Sequence, residues 1–493
     1  MPDSNSSYLS LCEKNREISL LGNTAGVLGW DQETYMPKGG VEYRAKQLSW
    51  LSGKIHELGT CDDFRKALEG AEQETGDAIQ SANVREIRHR FDLATKLPRE
   101  LVEKNSEATS LGKAAWAEAR EKSDFSLFAP HLTTLLEIAR EKAELWGYED
   151  EPYDALLGNY ERGAKTSEVA SVFDQVGDEL AATAQAACEK SASQPQGILK
   201  GHYPISDQQT LNREIAEDIG FDFDKGRIDT TTHPFCTGLG PGDTRLTTRY
   251  LEHDFTSSLF GVLHEAGHGL YDQGLPADQH GMPAGNAVSL GIHESQSRLW
   301  ENHVGRSRAF WNKWLPRTQE LFPHLKNLDL DSFLIAINQA EKSFIRVEAD
   351  EATYDLHILL RFGLERKMLN GEIEVKHVPA AWNEGFENYF GMTPPDDAHG
   401  CLQDIHWSMG GLGYFATYTL GNFNAAQLHH HAMQDSDIAS ACSDANYIPL
   451  LGWMREKIHQ KGSTLFPQEL MKSATGEGTN PRFHLDHLKR RFL

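Results

Sequence analysis

The sequence predicts a mainly α-helical protein carrying one small β element. Apolar residues recur at three- and four-residue spacing through most of the 493 residues, and only 19 prolines interrupt them. Thr-rich alternating segments are confined to one stretch near the middle. From Cys61 to Thr95, Leu, Ile, Val and Ala alternate in helical period with Glu, Lys and Arg. Pro98 marks a break, the helical pattern resumes from Arg99 to Lys122, and Asp124 to Trp146 forms another amphipathic segment. The polar, Ser-, Gln- and Pro-bearing stretch from Lys190 to Gln209 is the expected internal joint. The chain therefore reads as one unit, residues 1–493, with an N-terminal helical part (1–200) and a second part (201–493). Between Gly226 and Tyr250, two Thr-rich runs flank Gly238-Leu239-Gly240-Pro241-Gly242, a short hairpin or small sheet with a glycine-rich connection. Helical periodicity returns from Asp254 to the end, and Ser473–Pro481 reads as a surface loop.

Composition narrows the function. Hydrophobic residues are 39% and charged residues 24%, enough apolar material for a sizeable core and unlike a disordered or fibrous chain. Acidic residues outnumber basic ones 72 to 48, a net charge of −24. A chain this acidic, with no strong local basic patch read from its sequence, is expected to be repelled by phosphate backbones and anionic lipid, so no nucleic-acid or membrane partner is expected. No apolar run is long enough to span a bilayer, and the N-terminus lacks a basic start followed by an apolar stretch. The six cysteines lie far apart with no CxxC pair, as for reduced thiols. The expectation is a soluble, cytoplasmic protein.

The sharpest motif is His264-Glu265-Ala266-Gly267-His268, an HExxH sequence. Histidines four apart on a helix differ by about 40° around its axis, so both imidazoles can share one metal ion. Glu265 lies about 100° from His264, able to reach a water on that ion without ligating it. Zinc with three protein ligands keeps a position for water and lowers its pKa to about 7, and a carboxylate can then act as general base. A random chain of this composition would contain on the order of 0.1 such matches. Gly261, Gly267 and Gly269 surround the motif, and each costs a helix about 1 kcal/mol relative to Ala, so something must approach this helix closely. The third ligand must come from elsewhere. Tyr271 and Gly274 stand where a metzincin would continue with Gly and His, which excludes that class. Glu294, on a helix starting after Asn286-Ala287-Val288-Ser289 with Leu290, Leu299 and Val304 as its core stripe, is the leading candidate. Asp278, His280 and His293 compete on distance alone.

Further segments carry a resemblance. His233-Pro234-Phe235, Asp243-Thr244-Arg245-Leu246-Thr247, the HExxH sequence and His293-Glu294-Ser295-Gln296 occur in that order. Ile345-Arg346 with Ala349-Asp350, and Gly400 with Gln403-Asp404-Ile405-His406-Trp407, follow them. Leu28-Gly29-Trp30-Asp31-Gln32-Glu33-Thr34 through Pro37 opens the set. Together they resemble the carboxypeptidase Taq family of metallocarboxypeptidases over essentially the whole chain. The resemblance implies a helical, saddle-like body with a long central cleft, usually a homodimer. It implies one divalent metal, zinc with cobalt an effective substitute, held by His264, His268 and Glu294. The implied activity is release of single C-terminal residues from peptide substrates, with broad side-chain tolerance and poor cleavage at proline.

Within that reading, an exopeptidase needs a cation for the substrate carboxylate, and a guanidinium fork suits it. Arg346 is chosen over Arg245, although Arg346 can also pair with Asp350 along a helix. A donor aimed at the developing oxyanion comes from Tyr414, His406 or His233. An endopeptidase or dipeptidyl carboxypeptidase on a similar body, and a non-catalytic metal-stabilised peptide-binding protein, remain the alternatives. Other features read as structural: Trp30 as core, Asp31 as a cap, Asp243 and Thr247 as supports, His429–His431 as a solvated or capping stretch, and Cys401 as an unreactive thiol.

Overall fold

The computed structural model describes residues 6–493. Among the described residues, there are twenty-one α-helices and one three-stranded sheet. The first helix, Ser7–Thr34, starts where the Ser6 hydroxyl accepts the Leu9 N–H. Asp31 lies inside this helix and pairs with Arg44 at 2.7 Å, so it is not a cap as expected. Trp30 is buried and lies under the Arg245 guanidinium, 4.2 Å from the ring centre. The Cys61–Thr95 pattern divides into two helices, Asp62–Ala71 and Ala78–Thr95. Asp77 accepts the Gln80 N–H and starts the second one, a local cap outweighing the continuous apolar period.

The expected β element is present. Strands β1 (Gly226–Thr230), β2 (Cys236–Gly240) and β3 (Asp243–Thr248) form a sheet in the order β1-β3-β2. The β2–β3 pair is antiparallel, with a register irregularity between Gly238 and Gly240, and β1 runs parallel to β3 with Ile228 opposite Leu246. Gly240 and Gly242 hold φ of 149° and 85°, so the connection needs residues without a Cβ. Thr247 both donates to and accepts from the Phe235 main chain, at 2.9 and 2.8 Å, holding the His233-Pro234-Phe235 loop to the sheet.

Two large apolar clusters form the core. The first joins helices from Ala119 to Ala187 to those from Ala340 to Phe492, and so crosses the joint near residue 200. The second surrounds the HExxH helix, Phe255–Gly274, with Leu259, Leu263, Ala266 and Leu270 at its centre. The helix Ala416–Ala432 belongs to both: Ala416, Leu420 and Phe423 face the first cluster, Ala425, Leu428 and Ala432 the second. It is accordingly buried on nearly all sides, and the helix Leu290–Arg298 is wedged between it and the HExxH helix.

Some local expectations change. Leu290 is exposed, and Ile292 takes its place beside Leu299 and Val304 in the core. His429 is not solvated: it stacks on His303 at 5.0 Å, and burial pushes its pKa down to about 3. All six cysteines are free, and burial pushes the Cys401 thiol up, consistent with an inert side chain. No described helix is long and apolar enough to cross a membrane.

Candidate metal centre and cleft

The HExxH helix starts at Asp254, whose carboxylate accepts the N–H groups of Thr256 and Ser257. Its glycines explain themselves by packing. A Cβ on Gly267 would lie 2.6 Å from Gln296 O and Ser297 Cα on the neighbouring helix, and one on Gly269 would lie 2.7 Å from Phe221. The close approach inferred from the sequence is therefore real, and it brings Leu290–Arg298 against His264 and His268. Ser289 caps that helix through the Ile292 N–H, as its sequence suggests.

Three side chains converge between the two helices. The ligating atoms of His264, His268 and Glu294 lie within 4.8 Å of one another, and both Nε2 atoms are 3.6 Å from Glu294 Oε2. Tetrahedral zinc at bonds of about 2.0–2.1 Å separates its ligand atoms by roughly 3.3–3.4 Å, so the donor set fits an ion with little movement. The competing ligands are turned elsewhere. His293 Nε2 is 3.3 Å from Asp272, His280 pairs with Asn23 at 3.1 Å, and Asp278 is exposed.

A residue that sequence reasoning missed orients the site. Glu301 Oε2 lies 2.9 Å from His264 Nδ1, which leaves Nε2 directed at the centre. Glu301 sits in a π-helical turn, Leu299–Val304, that continues the Glu294 helix. Arg298 closes the group, donating to Glu294 Oε1 at 2.8 Å and to Glu301 Oε2 at 3.2 Å. The spacing Glu294, Arg298, Glu301 was a readable signal of one acidic–basic helix face. The π turn that swings Glu301 onto His264 was not. Replacing Glu301 by Gln should weaken metal binding by about 10- to 100-fold, measured by competition with a chelator. Unchanged affinity would remove Glu301 from this role.

Burial and these partners set the protonation pattern. Burial opposes a charge on His264, but Glu294 and Glu301 outweigh it and hold the imidazole up at about 9, whereas burial drives His268 well below its usual value. Burial likewise pushes Glu265 up to about 7. At pH 7.5, which is below 9, the metal-free protein holds a proton on His264 that an arriving ion must displace. Metal binding should therefore release about one proton, with apparent affinity rising about tenfold per pH unit up to about pH 9. Calorimetry in buffers of different ionisation enthalpy measures this, and a proton count near zero would contradict it.

Of the remaining candidates, Arg346, His406 and Tyr414 form one group linked through Tyr418, and His233 and Arg245 lie apart from it. Arg346 is buried and does not pair with Asp350. Its Nε and Nη2 donate to Asp404 Oδ1 at 3.0 and 2.9 Å, and Nη1 donates to the Tyr354 hydroxyl at 2.9 Å. A second N–H on each of Nη1 and Nη2 is left over. Arg361 also donates to Asp404, at 2.6 Å, and the two guanidiniums overcome burial to hold that carboxyl well below the usual range. Tyr354 in turn lies 4.7 Å beneath Arg298, so Arg346 is linked to Glu294 through two side chains. His406 stands 5.3 Å from the Tyr414 ring and 3.5 Å from the Tyr418 hydroxyl. Burial lowers His406 to about 4, and its buried Nδ1 makes no hydrogen bond, with Asp404 Oδ1 4.0 Å away. Burial foremost, with the charge of Glu294 adding, raises the Tyr414 phenol. His233 is exposed in the loop before β2, and no hydrogen bond among the described residues joins it to the others. Arg245 pairs with Asp243 at 2.8 Å on β3. Tyr354 and Tyr418 carried no sequence signal, because lone tyrosines on helices most often read as core.

The model of the carboxypeptidase Taq (M32) metallopeptidases matches residues 10–492. Thermostable carboxypeptidase 1 of Thermus thermophilus is 39% identical over 499 residues, covering 98% of each chain. The crystal structure of the M32 carboxypeptidase from Deinococcus radiodurans superposes with a TM-score of 0.96 at 35% identity, covering 99% of both chains. The carboxypeptidase of Pyrococcus furiosus gives 0.95 at 37% identity over 99% of both.

Proposed function

Since the chain belongs to the carboxypeptidase Taq (M32) metallopeptidase family, and is thus a metal-dependent carboxypeptidase, we propose that His264, His268 and Glu294 hold its divalent metal and that Glu265 is its general base. The observation that carries this reading is the convergence of the three ligand atoms within 4.8 Å, with Glu265 buried on the same helix as two of them. A divalent ion bound there supplies an acidified water and a polarised scissile carbonyl.

The side chains do the rest. The peptide's terminal carboxylate docks on the free N–H groups of Arg346, whose fork Asp404 and Tyr354 hold in place. Glu265 takes the proton of the attacking water and passes it to the leaving amine, a task suited to a carboxyl whose burial moves it to about 7. The developing oxyanion receives a hydrogen bond from the Tyr414 phenol, with His406 or His233 as the other donors; the His406 ring, 5.3 Å from that of Tyr414, supports its candidacy. The reading extends to zinc as the native metal with cobalt as substitute, to broad specificity that fails at proline, and to a cytoplasmic homodimer.

The test is mass spectrometry of peptide substrates incubated with metal-loaded and chelated protein. Loss of one C-terminal residue at a time, only with metal and only from peptides with a free carboxylate, is the expected result. Cleavage of amide-blocked peptides at internal bonds would move the protein to the endopeptidases, and release of dipeptides to the dipeptidyl carboxypeptidases. Binding without cleavage would leave the centre structural.

A further inference from the structure

A cavity lies away from His264, His268 and Glu294, where the start of the helix Arg308–Leu321 and the final helix, Arg482–Phe492, line it together. Its volume is about 710 Å³, within the range of about 300–1,000 Å³ usual for small-ligand sites. Five cations line it, Lys190, Arg306, Arg308, Arg490 and Arg491, against one carboxylate, Asp331. In a chain where acids outnumber bases 72 to 48, composition does not produce such a wall.

Helix ends explain part of it. Lys190, Arg490 and Arg491 stand in last turns, where cations complement the helix dipole. Arg306 and Arg308 are the opposite case. They flank Ser307, the N-cap of Arg308–Leu321, where the dipole disfavours positive charge. Arg308 is relieved by Asp331 at 2.5 Å and Arg491 by Glu351 at 2.6 Å. Arg490 makes no ion pair among the described residues; Arg306 donates to the Ile337 carbonyl and has Glu301 Oε1 at 3.9 Å from Nη2, with Glu351 and Asp350 acting on it from further off. Guanidinium forks around a polar, roomy cavity match the planar oxygen pairs of an oxyanion.

Arg306 also faces inward. Its guanidinium lies 3.8 Å over the Phe260 ring and donates to Asn302 Oδ1 at 3.2 Å, and the Glu301 it approaches is the residue bonded to His264 Nδ1. We propose that this cavity binds a phosphate-type oxyanion and that its occupancy tightens metal retention through Arg306 and Glu301. An anion on Arg306 competes with Glu301 for the guanidinium. More of the Glu301 charge then falls on the His264 N–H, which makes the imidazole a better ligand. The coupling rests on the metal assignment proposed above; anion binding does not, so the two can fail separately.

The probes are inorganic phosphate and adenosine monophosphate, titrated calorimetrically into zinc-loaded full-length protein at low ionic strength. Wild type should bind, and the double variant Arg308→Ala/Arg490→Ala should bind about tenfold more weakly or less. Both replaced side chains are exposed, so the variant should fold and keep its anion-free peptidase rate. Tighter binding of the nucleotide would assign a phosphomonoester ligand, and equal binding the free anion. Zinc retention against a chelator should improve at least about threefold with saturating phosphate in wild type and not in the double variant. No binding at millimolar phosphate, or equal binding by wild type and variant, overturns the site. Binding that leaves zinc retention unchanged overturns the coupling.

Discussion

Replacing Glu265 by Gln should lower kcat by about 10²–10⁴-fold while leaving the metal in place. The amide keeps the shape of the carboxylate but cannot take the water's proton, and in this reading Glu265 is not a ligand. Metal content separates the outcomes: a silent variant that has lost its ion would put Glu265 among the ligands, and unchanged turnover would end its role as base. A second readout follows from burial. The folded-state pKa of Glu265 is raised to about 7, so ionising it costs stability progressively as pH climbs from the unfolded value through 7. The metal-free Gln variant should match wild type near pH 4.5 and exceed it at pH 8, by at most roughly 3 kcal/mol. Thermal unfolding at the two pH values measures this, and a variant less stable at pH 8 would mean that the pull of protonated His264 on the carboxylate outweighs the cost of its burial.

Gly421→Ala should damage the proposed metal centre without replacing a proposed ligand. A Cβ at this position would lie 2.5 Å from Glu294 Cγ and 2.6 Å from its Cβ, closer than real side chains approach. Gly421 and Glu294 sit on helices with mostly buried residues, so the strain cannot dissipate outward. The expected result is a loss of about 1–3 kcal/mol of stability and at least a tenfold drop in metal affinity, with activity partly restored by excess metal. Gly452→Ala is the matched control, because nothing lies within 4 Å of its added Cβ and it sits in the helix Ile448–Lys457. That change should be neutral or stabilising by about 0.5–1 kcal/mol. If the two alanines behaved alike, the contact with Glu294 would carry no weight.

Much of the site was readable because its logic is local. Four-residue spacing on a helix puts His264 and His268 on one side whatever surrounds them, and the cost of Gly267 announced a tight helix contact before the contact was known. Glu294 was readable only as one of several candidates, since spacing says nothing about which helix returns to the site. Errors came where local and distant forces compete. Periodicity ran through Cys61–Thr95, but Asp77 started a new helix there. His429 sits in a polar-looking triplet, yet His303 covers it. Arg346 faced Asp350 on paper, but Asp404, far along the chain, holds it.

By itself the sequence determined a helical body, the place of its small sheet, the HExxH helix and the acidity of the chain, because periodicity, capping and composition act within a few residues or over the whole. Only the tertiary structure decided what converges with Glu294, the turn of Glu301 onto His264, the clasp of Asp404 on two arginines and the cationic cavity behind Arg306. Those depend on where helices cross. Crossing is set by the volumes that Gly267 and Gly421 leave empty and by the apolar surface both cores must bury, sums over residues far apart in the chain.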